Sequence, residues 1–183
     1  AAGGVASEGW WSLQPLAKVD LPSDGLAKHP IDAFVQQRLA RDGLTPSPPA
    51  EPRTLIRRLH FDLLGLPPSP ETVAEFAANP TDPAYHQLID RLLASPRYGE
   101  RWARHWLDVA RYGESNGFEY NEPRRNAWPY RDWIIDSLNA DMPYDEFARM
   151  QIAGDILRPG RKGAAAVGFL VAGTHNTVLG ASP

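Results

Sequence analysis

The stretch SPRYGERWARHWLDVARYGESNGFEY, residues 95–120, decides the fold. Ser95 followed by Pro96 reads as an N-cap with proline at the first helical position, where its missing N–H is not needed. Gly113 is placed to stop the helix about four turns later. The pattern predicts a helix over 96–112. Trp102, Trp106 and Val109 recur at helical spacing, with Leu107 and Ala110 widening the stripe, so this face is expected in the core. A second stripe of Arg101, His105, Asp108 and Tyr112 is flanked by Arg97, Arg104 and Arg111, an unusual concentration of ionisable groups. The plain reading pairs Arg104 with Asp108, and Asp108 with Arg111, each pair contributing only about 0.2–0.5 kcal/mol.

Outward from that helix the same punctuation repeats. Many of the 18 prolines stand where a helix would begin. Ser69, Asp82 and Ser95 each precede such a proline and carry a side-chain oxygen able to cap exposed amides. Helices are predicted near 30–42, 52–64, 70–78, 83–94, 96–112, 129–139 and 143–156, with a weaker one near 164–172. No strand pattern competes. The expectation is an all-α fold, an irregular bundle of about seven or eight helices. Residues 9–21 lack helical spacing and contain Pro15, which predicts an extended N-terminal arm over 1–28, followed by a helical domain over 29–183. The proline-rich 44–52 reads as a short connector between two helices and not as a domain boundary.

Composition narrows the function classes. A net charge of −3 supplies no field for phosphate backbones, so nucleic-acid binding has no electrostatic support. With 43% apolar residues and six tryptophans the chain has the material for a buried core. Its longest apolar run, 164–173, is about half of the roughly 20 residues a membrane-spanning helix requires. The absence of cysteine removes thiolate chemistry and covalent haem attachment through C-x-x-C-H. The leading AAGGVAS resembles what remains after cleavage behind small residues, which points to export.

Longer segments carry a resemblance. HFDLLGLPPSPETVAEF (60–76), LIDRLLASPRYGERWARHWLDVARYGES (88–115) and NAWPYRDWIIDSLNADMPYDEFARMQIAGDIL (126–157) together resemble the DUF1549 family, also called PSCyt2. WWSLQPL, HPIDAFVQQRLARDGLTPSPPAE, RTLIRRL and GFLVAGTHNTV fit in the same order, so the likeness spans nearly the whole chain. It implies a secreted or periplasmic protein, common in planctomycetes and related bacteria, in multidomain chains that also carry a cytochrome c domain and a DUF1553 domain. Members typically continue into a segment with a C-x-x-C-H-like haem signature, whereas this sequence stops at Pro183 without one. The expectation is a longer natural chain or a member that has lost the redox segment.

Three functional expectations follow. In the first, the chain is a non-catalytic, periplasmic accessory or docking subunit for a c-type cytochrome or a membrane electron-transfer assembly such as a reaction centre. Trp10, Trp11, Trp128, Arg124 and Arg125 are then the partner-binding candidates, because Trp and Arg are favoured at interface hot spots. In the second, it is a hydrolase or oxidoreductase acting on polysaccharide with His105, Asp108, Arg111 and Glu114 in the site. That reading needs these side chains to line one cleft with a perturbed pKa among them, and Glu114, Glu119, Asp132 and Asp136 converging with Arg104, Arg111, Arg124, Arg125 and Arg131 around a pocket would suit binding or hydrolysis of a glycan. In the third, the loop after the charged helix holds calcium through Glu114, Asn116 and Glu119, oxygen donors at alternating positions beside a turn-forming glycine, or the module binds a glycan. Calcium is the one candidate cofactor. His60, His86, His105 and His175 show no zinc-ligand spacing.

Overall fold

Proline-initiated helices account for almost all regular structure in the computed structural model, which describes residues 10, 14–22, 29–117 and 121–173. The elements are α1 (Pro30–Arg41), α2 (Pro52–Leu64), α3 (Pro70–Ala78), α4 (Asp82–Leu93), α5 (Pro96–Val109), α6 (Trp128–Asn139), α7 (Tyr144–Leu157) and α8 (Arg161–Ala166), followed by a 3-10 helix, Val167–Val171. Among the described residues the only β pairing is an isolated bridge between Ser115 and Pro123. The all-α expectation holds. Much of the expected arm lies outside the described residues; its described residues, 10 and 14–22, are not helical, and all but Pro22 are exposed.

The chain divides into two compact units, Ala1–Pro49 and Ala50–Pro183, the break falling within the proline-rich stretch 44–52. In the first unit, His29 Nδ1 accepts from the Ile31 N–H to cap α1, and Arg38 pairs with Asp42 one turn on. The second unit has two apolar clusters. Ile56, Phe76, Leu88 and Leu92 bring α2, α3 and α4 together. Ala103, Tyr130, Trp133, Ile134, Phe147, Met150, Ala166 and Ala172 form the other, between α5, α6, α7 and the C-terminal segment.

Capping explains the helix starts and corrects one of them. Ser69 and Ser95 accept from the Thr72 and Arg97 amides, as their positions before proline predicted. At α4 the cap is Thr81, whose Oγ1 accepts from the Ala84 N–H at 3.4 Å, and Asp82 is instead the first helical residue. There its carboxylate is favourable near the positive end of the helix dipole. Gly65 ends α2 in the left-handed conformation, φ 69°, open to glycine without steric cost.

The buried face of α5 is also corrected. Trp102 is 40% exposed and Val109 73% exposed, while Gly99 and Ala103 are buried and Trp106, Leu107 and Ala110 pack beside them. The helix is rolled toward its small residues because α5 runs closely along α6. A Cβ on Gly99 would lie 2.6 Å from the Asn139 amide group. Bulk marked the wrong flank, since close approach selects glycine and alanine.

The weakest predicted helix is real but split into α8 and the 3-10 helix. Glycine disfavours helix by about 1 kcal/mol, so packing must hold this segment. A Cβ on Gly163 would lie 2.1 Å from the Arg158 carbonyl and 2.2 Å from that of Gly154, and one on Gly168 would lie 2.7 Å from Tyr130 Cβ. Ala153, with φ −142° and ψ 29°, breaks α7 just before Gly154.

Candidate functional site

A polar triangle anchors the aromatic core. Trp106 Nε1–H donates to Gln151 Oε1 at 2.9 Å and to Tyr130 Oη at 3.1 Å, and the Tyr130 hydroxyl donates to the same Gln151 oxygen at 2.7 Å. Gln151 returns its amide to the Phe147 carbonyl at 3.2 Å. Buried polar groups are tolerated when they are satisfied in this way. Burial pushes the Tyr130 phenol up to about 12. The Trp133 ring stacks on Phe147 at 5.3 Å, and Trp106 meets Phe147 edge-on at 4.9 Å.

Arg124 fastens the C-terminal segment to this core. Its Nη1 is shared among the carbonyls of Gly113, Ala172 and Gly173 at 3.0, 2.7 and 2.9 Å, and its Nη2 donates to the Val171 carbonyl. The Val171, Ala172 and Gly173 oxygens lie at the C-terminal end of the 3-10 helix, where a cation is favourable. Beside it, Glu114 accepts from the Tyr112 hydroxyl at 3.1 Å and from Arg131, which also donates to Asp132 at 3.0 Å. Burial and the Glu114 carboxylate raise Tyr112 to about 12.

These fastenings build the wall of an open cleft of about 980 Å3 between α6 and the segment 161–172. Trp133, Val167, Leu170 and Val171 line its apolar part, with Trp128 beside them, 47% exposed. Arg125, Arg161, Lys162, Asp132 and Asp136 supply its charged lining.

The predicted site residues are distributed unevenly around it. Asp132, Asp136, Arg124 and Arg125 share the cleft, and Glu114 touches it through the Tyr112 hydroxyl. His105, Asp108 and Arg111 do not line it. His105 is exposed with its ring 5.3 Å from that of Trp102, and Asp108 enters no ion pair among the described residues, so the expected pairs with Arg104 and Arg111 are not formed. Arg111 ends the α5 turn with φ 54°. In the candidate calcium loop, the Asn116 N–H donates to the Glu122 carbonyl at 2.9 Å, Glu114 is held by Arg131, and Glu119 lies outside the described residues. Among the described residues no three His, Asp or Glu side chains are grouped to hold a metal ion. Trp10 is 70% exposed; Trp11 and His175 lie outside the described residues.

Sequence reasoning missed Gln151, Arg161 and Lys162. Gln151 stands four residues after Phe147 on the stripe Phe147, Met150, Gln151, Gly154, and a polar residue on an apolar stripe was the available signal. Arg161 and Lys162 looked like ordinary surface cations, because only the fold returns them to α6.

A model of the PSCyt2 family, described as a protein of unknown function (DUF1549), matches residues 30–182. The chain belongs to the PSCyt2 family. No curated protein and no solved structure gives a match. The PSCyt2 match covers all eight α-helices found among the described residues and the cleft, so the cleft belongs to the family domain. No helix among the described residues of this PSCyt2 chain is long and apolar enough to cross a membrane.

Proposed function

We propose that this PSCyt2 domain is a non-catalytic, extracytoplasmic docking module for a c-type cytochrome, within one polypeptide or within a larger membrane electron-transfer assembly. The observation that carries the reading is the exposed Trp128 beside an open, apolar-walled cleft whose lining includes Arg125, Arg161 and Lys162. An aromatic anchor with cationic neighbours is the composition that protein interfaces favour. The family name supplies the cytochrome, and the extracytoplasmic location comes from the family resemblance. Arg124 contributes by shaping the wall, and Arg125 contributes an exposed guanidinium that enters no ion pair among the described residues.

One observation favours a second reading. Asp132 and Asp136 lie one turn apart in the same cleft as Trp128, an aromatic and carboxylate grouping suited to a polysaccharide. Sedimentation of the purified domain mixed with a c-type cytochrome from the same organism, followed at the haem absorption band, separates the two. Docking predicts co-sedimentation that weakens in Trp128→Ala. A domain that sediments alone and cleaves polysaccharide would reverse the assignment.

A further inference from the structure

We infer that the cleft between α6 and the segment 161–172 receives a peptide segment of the partner, one whose apolar side chains are flanked by carboxylates. The inference rests on the docking reading and names the chemistry of what docks.

Charge complementarity points to the carboxylates. Arg125, Arg161 and Lys162 are exposed, line the cleft, and enter no ion pair among the described residues. Against these three stand two acidic groups, and Asp132 is already held by Arg131, which leaves Asp136. Arg124 adds a fixed positive charge, although its N–H groups are occupied by carbonyls. The unsatisfied balance is positive. Exposed cations beside apolar surface gain most from carboxylates that arrive with apolar neighbours and displace water.

The wall argues for apolar side chains in the occupant. Val167, Leu170 and Val171 offer no hydrogen-bonding side chain to a saccharide hydroxyl. Peptide segments dock in such grooves by seating two or three apolar anchors. A volume of about 980 Å3 has room for several side chains. The cleft is also preformed, since Trp133 is stacked on Phe147, Tyr130 is tied into the polar triangle, and Arg124 fastens residues 171–173. Little ordering is left for binding to oppose.

The test uses the whole chain to select from a random dodecapeptide library displayed on phage, then titrates a synthetic peptide of the selected sequence by fluorescence anisotropy. The selected sequences are expected to combine Leu, Ile, Phe or Trp with Asp or Glu. Affinity is expected to fall roughly tenfold in Trp128→Ala and by a similar factor in a variant combining R125E, R161E and K162E, with the charge effect shrinking at high salt. Thermal unfolding of both variants checks that they remain folded. Selection of neutral or basic peptides, selection of none, or equal binding by a peptide whose Asp and Glu are replaced by Lys would overturn the inference. So would preferential binding of oligogalacturonate at these residues. The cytochrome sedimentation experiment reads the parent proposal separately. A cytochrome that binds equally to wild type and both variants leaves docking intact at another surface, whereas peptide capture without cytochrome binding leaves the cleft assignment intact and removes the haem partner.

Discussion

Asn139, the last residue of α6, accepts a hydrogen bond from the Gly99 N–H of α5 at 2.8 Å and donates its own amide to the Pro96 carbonyl at 3.1 Å. One side chain thus joins the end of one helix to the first turn of its neighbour, and glycine leaves room for it. Gly99→Ala is expected to lower stability by about 1–3 kcal/mol, because the new methyl displaces Asn139 and breaks both bonds. In an Asn139→Ala background the same substitution should be milder by at least about 1 kcal/mol, since the obstacle is gone. Chemical denaturation of the four proteins measures this coupling, and strict additivity would contradict the geometry.

Arg124 is predicted to stabilise through its fork of donors rather than through charge alone. Lysine has a single ammonium and cannot reach the Gly113, Val171, Ala172 and Gly173 carbonyls together. Arg124→Lys should lower stability by about 1–3 kcal/mol. It should also speed amide exchange at Gly113, whose N–H bonds the Ala172 carbonyl, before it affects α2 or α3. Uniform acceleration across the chain would mean that the clamp is not local.

The raised phenols predict alkaline sensitivity. Tyr130 and Tyr112 both stand near 12 against an ordinary 10.0, so the folded state holds these protons more tightly than the unfolded one. Their contribution is complete below pH 10.0 and is lost as pH rises toward 12. Tyr130→Phe should flatten that alkaline decline while lowering stability at neutral pH by about 1–2 kcal/mol through loss of the Gln151 bond. Denaturant midpoints across the alkaline range provide the measurement.

His60 predicts the opposite slope in acid. It is buried in α2, its Nε2 has no hydrogen-bond partner among the described residues, and burial, helped by the Arg91 charge, holds its pKa below 6.5. A depressed base favours folding at pH values above 6.5 and loses that advantage as pH falls through the folded pKa. His60→Leu should therefore be less acid-sensitive than wild type between about pH 7 and pH 5, by thermal unfolding, where most carboxylates remain ionised. An identical pH dependence would rule out His60 as its source.

Helix positions were legible because their signals are local. Proline cannot donate and presets φ, and a preceding serine supplies the missing acceptor, so Ser69-Pro70 and Ser95-Pro96 announce starts whatever lies across the core. Family membership was legible for a related reason, since it lies in residue order over long segments. The roll of α5 was not, because Trp102 and Trp106 both satisfy the same spacing and only contact with Asn139 selects the Gly99 side. Half of the cleft was equally hidden. Asp132 and Asp136 lie together on α6, but Arg161 and Lys162 join their cleft only after the kink at Ala153 and the close approach of Gly163 to the Gly154 and Arg158 carbonyls fold the chain back.

By itself, the order of amino acids determined the all-helical class and the places where helices begin, since capping and φ restriction act within a few bonds. Only tertiary structure decided which flank of α5 is buried, which arginine fastens the chain, and where apolar wall and cations meet. Those outcomes depend on close packing between residues distant in sequence, where one missing Cβ outweighs a larger side chain's hydrophobicity.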